Sequence, residues 1–428
     1  MHVFFSGIGG TAISSLALIA HEAGYNVSGS DARPSQYLEY LAKHGITNTH
    51  IGVDEDFITK VHSKSPIDWY VYGSAQPIDF PNHPEFEFCK QHNIKMSKRD
   101  EFLSKIIQDK NLKLIAIAGT HGKTTTTAIA TWVFHQLKRP LSYSGGAKLS
   151  FGDVSKFDPE SEYFIYEADE YDRNFLSFYP EISLISGVDY DHPDVYPTRQ
   201  SYDEAFLEFL DQSKQAVIWR DDAEHLGIEV EHKYTILDKK DPQIESVKLS
   251  GIVNRQNAWL VANGLAEVVG RSVDNLVEIL NQFPGLSRRF EKIAENLYSD
   301  SAHTPPKIRG ALQMAHEVAS DNVVVVYEGL HNLRQHFIKD ELANLFESTR
   351  KLYIVPSYLA REDKNLELLT PDKLLNLLSS STKQTAETAR LNESLAQNIR
   401  HHIDRGDLVL CLSAGGAGSL DEWLRKTF

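Results

Sequence analysis

Cysteine and long apolar runs are scarce in this 428-residue sequence. Cys89 and Cys411 are its two cysteines, and two distant cysteines provide neither a disulfide framework nor a metal cluster, so we expect both to be packing residues. No apolar run approaches the roughly 18–20 residues that span a bilayer, so no membrane insertion is expected. The chain runs from Met1 straight into a strand, without a signal-type segment, which predicts a cytoplasmic protein.

Positive charge is also scarce. Lys and Arg number 44 against 59 Asp and Glu, which gives a formal net charge of −15. A nucleic-acid-binding surface needs clustered basic residues, so no nucleic-acid partner is expected. An anionic small molecule would instead be held by helix N-termini and single basic side chains. The length suits two or three domains, and we expect three.

A phosphate-binding turn is the strongest positive signal. An apolar strand over 114–118 leads into Gly119-Thr-His-Gly122-Lys123-Thr124 and then a helix. Glycines let successive N–H groups point into one concavity, and the helix N-terminus adds its positive dipole end. Lys123 is expected to reach the outer phosphates and Thr124 to ligate Mg²⁺. Ile117 stands where a Walker sequence has its first glycine, so the loop is a shorter variant of that motif.

The first hundred residues begin with a βαβ pattern. A strand at 2–6 precedes the turn Gly7-Ile-Gly9-Gly10-Thr-Ala, a helix follows to Ala23, and a second strand ends at Asp31. Such a turn, with an acid about twenty residues later, is typical of dinucleotide-type sites, where glycines let a pyrophosphate approach. From these residues alone, a hydride-transfer cofactor, a nucleotide-sugar pyrophosphate and a purely structural turn all remain open.

Two acidic clusters follow predicted strands in the central part of the chain. The strand at 163–166 leads into Glu167-Ala-Asp-Glu170, and the strand at 182–186 is followed by Asp189-Tyr-Asp-His192. The carboxyl ends of parallel strands meet at one sheet edge, so these groups are expected beside the phosphate turn. Carboxylate oxygens there suit Mg²⁺.

The last third of the chain predicts another α/β domain. Apolar strands are expected at 323–326, 352–355 and 408–412. The glycine-rich stretch 414–418 is interpreted as a turn between the last of these strands and a helix around 420–424.

Taken together, these motifs resemble the Mur ligases, ATP-dependent enzymes that add amino acids to a UDP-linked muramic acid in peptidoglycan synthesis. Asn254-Arg-Gln-Asn257-Ala and Arg288-Arg289-Phe also carry the resemblance, which covers almost the whole chain. It implies an α/β fold with three domains: a Rossmann-like N-terminal domain at 1–108 for the UDP-sugar, a central P-loop ATPase domain with a mostly parallel sheet at 109–290, and a Rossmann-like C-terminal domain at 291–428 for the amino acid.

Other positions resemble the branch of the family that adds L-alanine to UDP-N-acetylmuramate. These are Gly73-Ser74-Ala75 and Ala360-Arg361-Glu362, together with Phe206, which stands where many other Mur ligases carry a carbamylated lysine. The resemblance implies an acyl-phosphate intermediate, release of ADP and phosphate, and ATP with two Mg²⁺ ions as cofactors. It also implies a role in cell-wall formation, cell shape and division, and a monomer or homodimer.

The resemblance assigns site residues by group. Lys123, Glu167 and His192 are expected to be catalytic, and Thr124, Glu167 and His192 to hold metal. The predicted ATP-binding residues are Gly119, Thr120, His121, Gly122, Lys123, Thr124, Thr125, Asn257, Arg289 and Asp300. The predicted UDP-sugar residues are Gly7, Gly9, Gly10, Thr11, Asp31 and Ser74. The predicted acceptor residues are His303, Arg334 and Arg361.

Two alternatives remain. The segments 413–418 and 339–342 are similar to the branch that joins a ready-made tripeptide to the same UDP-sugar in murein recycling. A catalytically weak nucleotide-binding protein with a scaffolding role is the second. Intact Lys123, Thr124, Glu167 and His192 argue against it.

Overall fold

The computed structural model describes residues 1–74, 76, 83–192, 195–229, 232–359, 362 and 365–428. Its described strands form three sheets in the order of the chain. Helices alternate with the strands along the chain, and the three sheets are mostly parallel. This confirms the predicted α/β fold class.

The first sheet has five parallel strands in the order β3-β2-β1-β4-β5. Val3 and Phe5 of its central strand pack on one face and Phe4 on the other, because successive side chains of a strand alternate between faces. The strands are β1 (His2–Ser6), β2 (Asn26–Asp31), β3 (Thr49–Ile51), β4 (Trp69–Tyr72) and β5 (Lys95–Lys98). The helices are α1 (Thr11–Glu22), α2 (Gln36–Lys43), α3 (Glu55–Lys64), α4 (Pro84–Gln91) and α5 (Arg99–Asp109).

The second sheet has seven strands in the order β12-β11-β10-β6-β9-β7-β8, and only its β7–β8 edge pair is antiparallel. The strands are β6 (Lys113–Ala118), β7 (Ser142–Ser144), β8 (Ser155–Lys156), β9 (Tyr163–Glu167), β10 (Ile182–Ile185), β11 (Gln215–Trp219) and β12 (Tyr234–Leu237). The α-helices are α6 (Lys123–Gln136), α7 (Arg199–Gln212), α8 (Arg220–His225), α9 (Ile252–Val269) and α10 (Val273–Leu280), and 3₁₀ segments lie at Tyr171–Ser177 and Pro242–Ser246.

The third sheet has six strands in the order β13-β14-β18-β15-β16-β17, and only β13–β14 is antiparallel. Val323 and Val325 face one side and Val324 and Val326 the other, so both faces are covered. The strands are β13 (Glu291–Ala294), β14 (Leu297–Asp300), β15 (Val323–Leu330), β16 (Lys351–Tyr358), β17 (Ala386–Thr388) and β18 (Leu408–Leu412). The helices are α11 (Pro305–Ala319), α12 (Asn332–Leu342), α13 (Pro371–Leu377), α14 (Ser380–Thr385), α15 (Glu393–Asp404) and α16 (Leu420–Thr427).

The described chain forms two compact units. The first comprises 1–247 and 256–283 and holds the first two sheets; the second comprises 248–255 and 284–428 and holds the third. The predicted division into three domains stays a prediction.

Both cysteines are fully buried free thiols, as expected of packing residues. None of the helices in the described part of the chain has the length and apolar character that crossing a bilayer requires.

Candidate functional site

The turn between β1 and α1 brings most of the predicted UDP-sugar residues together. The amides of Gly7 and Ile8 donate to the Ser30 carbonyl at 2.8 and 3.0 Å, which ties the turn to the end of β2. Asp31, the last residue of β2, accepts a hydrogen bond from the Gly9 amide at 2.8 Å. Helix α1 then begins at Thr11, and its free N-terminal amides make this turn suited to an anion.

Ser74 lies apart from these turn hydrogen bonds. Its hydroxyl is 3.4 Å from the side-chain oxygen of Asn174, in the 3₁₀ segment of the second sheet's region. Ala75, the last residue of the motif Gly73-Ser74-Ala75, falls outside the described residues.

A buried carboxylate beneath the glycine turn was not predicted from the sequence. Glu85 of α4 has no exposed surface. It accepts hydrogen bonds at 2.8 Å from both Ser6 and Tyr70, and a third from Ser30. These partners come from β1, β4 and β2, so one side chain joins three strands next to the turn. Burial raises the pKa of Glu85.

The predicted phosphate turn is present between β6 and α6. Gly119 and Gly122 have φ of +135° and +81°, in the region that favours glycine. Thr120 fixes the turn to the segment after β10: its amide donates to the Gly187 carbonyl at 2.9 Å and its hydroxyl to the Asp189 carbonyl at 2.6 Å. Residues 187 and 189, just after β10, therefore hold the turn in place.

Lys123 and His192 converge on Glu170, which the sequence-based assignment passed over. The Lys123 ammonium donates to Glu170 Oε2 and to the Gly119 carbonyl, both at 2.6 Å. His192 Nε2 lies 3.5 Å from Glu170 Oε1, and the Glu170 side chain is 1% exposed. The signal available in the sequence was its place in the acidic run after β9.

These contacts shift the pKa values of Glu170 and His192. Burial alone would raise the pKa of Glu170, but His192 and Lys123 bring it below its ordinary value. The contact with Glu170 raises the pKa of His192, against the opposing effect of burial. The cluster thus favours a carboxylate paired with two cationic groups.

Thr124 and Glu167 form a second pair on the same edge. The Thr124 hydroxyl donates to Glu167 Oε1 at 2.7 Å, and the Gly146 amide donates to Glu167 Oε2 at 2.7 Å. Burial raises the pKa of Glu167. Within the part of the chain that the structure describes, no three His, Cys, Asp or Glu side chains converge as a preformed metal centre. A hydroxyl and a carboxylate side by side are nevertheless hard oxygen donors of the kind that Mg²⁺ takes from proteins, with phosphates and waters completing the shell.

Asn257 lies beside the phosphate turn. It is 2% exposed, in α9, and a methyl group on Gly122 would come within 3.1 Å of its amide. Its Nδ2 has no hydrogen-bond partner among the described residues. A buried amide in that state is costly unless a ligand satisfies it.

One cleft of about 240 Å³ connects the two turns. Its walls include Thr11 and Ala12 at the start of α1 and Lys123 and Glu167 at the phosphate turn. The N-termini of α1 and α6 therefore open into the same space.

The remaining predicted residues lie in the second unit. Both carboxylate oxygens of Asp300 accept backbone amides, from Phe290 and Ala302, each at 2.7 Å. Arg289 donates to the hydroxyl of Ser301. Arg334 is exposed on α12, and Arg361 lies outside the described residues.

His303 is held close to this group. Its Nδ1 is 2.7 Å from the Ser301 carbonyl oxygen. Burial lowers its pKa to about 4, and the charges of Arg334 and Arg289 contribute to that shift. His303, Arg334 and Arg289 thus share one electrostatic environment.

Comparison with known proteins gives a consistent result. Residues 2–111 match the model described as Mur ligase family, catalytic domain, and residues 117–257 match the Mur ligase middle domain. The UDP-N-acetylmuramate–L-alanine ligase of Clostridium perfringens is 29% identical, and the match covers 99% of this chain and 97% of that protein. The ligase of the same name from Cytophaga hutchinsonii is 29% identical, and the match covers 99% of this chain and 95% of that protein.

Solved structures share the fold. The UDP-N-acetylmuramate-alanine ligase of Thermotoga maritima has a TM-score of 0.74 at 22% identity and covers 100% of this chain and 98% of its own. A murein peptide ligase of Psychrobacter arcticus has a TM-score of 0.62 at 22% identity, with 97% and 96% covered.

Proposed function

The chain belongs to the Mur ligase family, and we propose that it joins L-alanine to UDP-N-acetylmuramate in an ATP-dependent reaction of peptidoglycan biosynthesis. The full-length similarity to L-alanine ligases supports this choice of substrates. The products are the amide, ADP and phosphate.

The observation that carries the proposal is the single cleft shared by the two anion-binding turns. The N-terminus of α1 and the N-terminus of α6, with Lys123, line the same space. A UDP-sugar on the first turn can extend its carboxylate toward the γ-phosphate of ATP on the second. This supports a nucleotide-sugar as the ligand of the first glycine turn.

The reaction requires two anions to approach each other. An oxygen of the sugar carboxylate attacks the γ-phosphorus, and the bond from this phosphorus to the β-phosphate oxygen breaks. ADP departs, and the sugar now carries an acyl phosphate. The amine of L-alanine then attacks the acyl carbon and expels phosphate. Phosphoryl transfer of this kind depends mainly on positioning and charge neutralisation. Lys123 supplies a positive charge, and hydrogen bonds to Glu170 and to the Gly119 carbonyl hold its ammonium group beside the turn.

Mg²⁺ would add charge neutralisation between the β- and γ-phosphates when bound. Thr124 and Glu167 are the donors that fit this role, because their oxygens already lie 2.7 Å apart. His192 is proposed to help hold a second ion, next to Glu170. Asn257 is proposed to hydrogen-bond the nucleotide through its unsatisfied amide.

The remaining roles are proposed for residues of the second unit. Arg289 and Asp300 are assigned to the nucleotide, and His303, Arg334 and Arg361 to the acceptor amino acid. The low pKa of His303 keeps its imidazole neutral at pH 7, so it would act as a hydrogen-bonding group there and not as a cation.

The test is phosphate release from ATP and Mg²⁺ with UDP-N-acetylmuramate and one acceptor at a time, followed by product mass. The acceptors are L-alanine, glycine, L-serine and the tripeptide L-Ala-γ-D-Glu-meso-diaminopimelate. Stimulation by L-alanine with formation of its amide is expected. Stimulation by the tripeptide alone would assign the chain to murein recycling, and no release with any acceptor would favour a nucleotide-binding protein without catalysis.

A further inference from the structure

Arg99 is a cation in the cleft that belongs to none of the motifs described above. It is the first residue of α5 and directly follows β5, so it comes from the same carboxyl edge of the first sheet as the glycine turn. Its side chain lines the cleft together with Thr11, Lys123 and Glu167. Arg99 therefore lies in the space between the two anion-binding turns.

A buried carboxylate, Asp100, holds the guanidinium. Arg99 Nε donates to Asp100 at 3.0 Å, and Asp100 is 1% exposed. The other oxygen of Asp100 accepts the hydroxyl of Tyr166. Asp100 is thereby fixed, and it orients the guanidinium as a rigid support.

The second partner of Arg99 is looser. The Nη2 atom of Arg99 donates to Asp169 Oδ2 at 3.4 Å, which is long for a hydrogen bond between charged groups. Among the described residues, these two hydrogen bonds use two of the five N–H donors of a guanidinium. The side chain is 23% exposed. It retains donors for a further planar anion, and such an anion can replace Asp169.

Lys123 is placed differently. Arg99 and Lys123 are the cations among the described residues that line the cleft. Lys123 is drawn to the phosphate turn by hydrogen bonds of 2.6 Å to Gly119 and Glu170. A ligand bound at the first turn that extends into the cleft would therefore meet Arg99 as the available cation.

We propose that Arg99 binds the carboxylate of the donor sugar and presents it to the γ-phosphate. This inference rests on the proposed function. A guanidinium matches a carboxylate with two parallel hydrogen bonds, which fixes orientation as well as charge. Arg99 would consequently make the site select a nucleotide-sugar that carries a carboxylate over one that lacks it.

The test compares two ligands that differ in the lactyl ether group that carries this carboxylate. Affinities for UDP-N-acetylmuramate and UDP-N-acetylglucosamine are measured by calorimetry on the full chain, for wild type, Arg99→Gln and Arg99→Lys. Lys98→Gln is the matched control, because Lys98 pairs with Asp172 of the same acidic region but is not a lining residue of the cleft. Melting temperatures and KM values for both substrates accompany the titrations.

In Arg99→Gln, the preference for the muramate over the glucosamine ligand should fall by about tenfold to a hundredfold, the usual effect of losing a hydrogen bond to a charged group. UDP-N-acetylglucosamine should bind as in wild type, KM for ATP should stay unchanged, and Arg99→Lys should recover part of the preference. An unchanged preference, or equal weakening of both ligands, would overturn the inference and leave Arg99 as a structural ion pair. Product formation by wild type separates this outcome from failure of the proposed function.

Discussion

Glu170 joins the two basic side chains, Lys123 and His192, that lie beside the phosphate turn. It is almost completely buried, yet it contacts Lys123, His192 and, through its carbonyl, the hydroxyl of Tyr196. A buried charge is costly unless its partners are present. Any change at Lys123 therefore removes a partner of this carboxylate as well as the cation proposed for catalysis.

Replacing Lys123 by Ala should lower turnover by roughly a thousandfold or more, because the transferring phosphoryl group loses a fixed positive charge. UDP binding should be spared, since the first glycine turn stays intact. Steady-state kinetics and UDP titration measure the two effects. Lys113→Ala, which removes an exposed lysine paired with Glu162 at the start of β6, is the control, and turnover at the wild-type level in the Lys123 variant would refute the assignment of this loop.

His303 should make stability depend on pH. Its pKa is about 4 in the folded protein against an ordinary 6.5, so between these values the unfolded chain binds more protons. The free energy of unfolding should therefore fall as the pH is lowered from 6.5 to 4, by an amount on the order of 2–3 kcal/mol from this group. Urea unfolding of His303→Gln at several pH values should show a shallower decline than wild type, and parallel curves would contradict the assignment.

The helices and strands that form the site were largely predictable. Strands β1, β6, β9, β10 and β18 are apolar runs followed by glycines or acids, and each lies within two residues of its predicted position. The glycine turns were predicted because their function depends on consecutive residues. The place of Glu170 beside the phosphate turn was also predicted from its acidic run, but its contacts and those of Glu85 were not, because the partners are distant in sequence and only the fold brings them together.

Gly119→Ala tests the turn as a unit. The glycine has φ of +135°, and a methyl group there would lie 2.8 Å from the Gly187 carbonyl oxygen. The substitution should destabilise the protein by roughly 2 kcal/mol or more and weaken ATP binding, because backbone must shift. Gly270→Ala is the control: its φ is +63° with nothing within 4 Å of the added methyl, so it should cost about 1 kcal/mol and leave ATP affinity unchanged. Equal effects of both variants on ATP affinity would contradict a special role for the turn.

The molecule as a whole consists of two compact units with separate cores. Such units often unfold independently. Differential scanning calorimetry should show two transitions, and UDP should raise the temperature of only one of them, since a ligand stabilises the unit that binds it. A single transition that moves as one with UDP would show that the units unfold cooperatively.

The position of β18 has a consequence for how the protein is made. This strand, near the end of the chain, lies between β14 and β15 in the middle of the third sheet. During synthesis, β14 and β15 must wait with exposed pairing edges until residue 412 has emerged, whereas the first sheet is complete at Lys98. A nascent chain stalled shortly before Leu408 would thus carry a finished first sheet and an aggregation-prone third sheet, and a premature stop codon there would be more damaging than the small number of lost residues suggests.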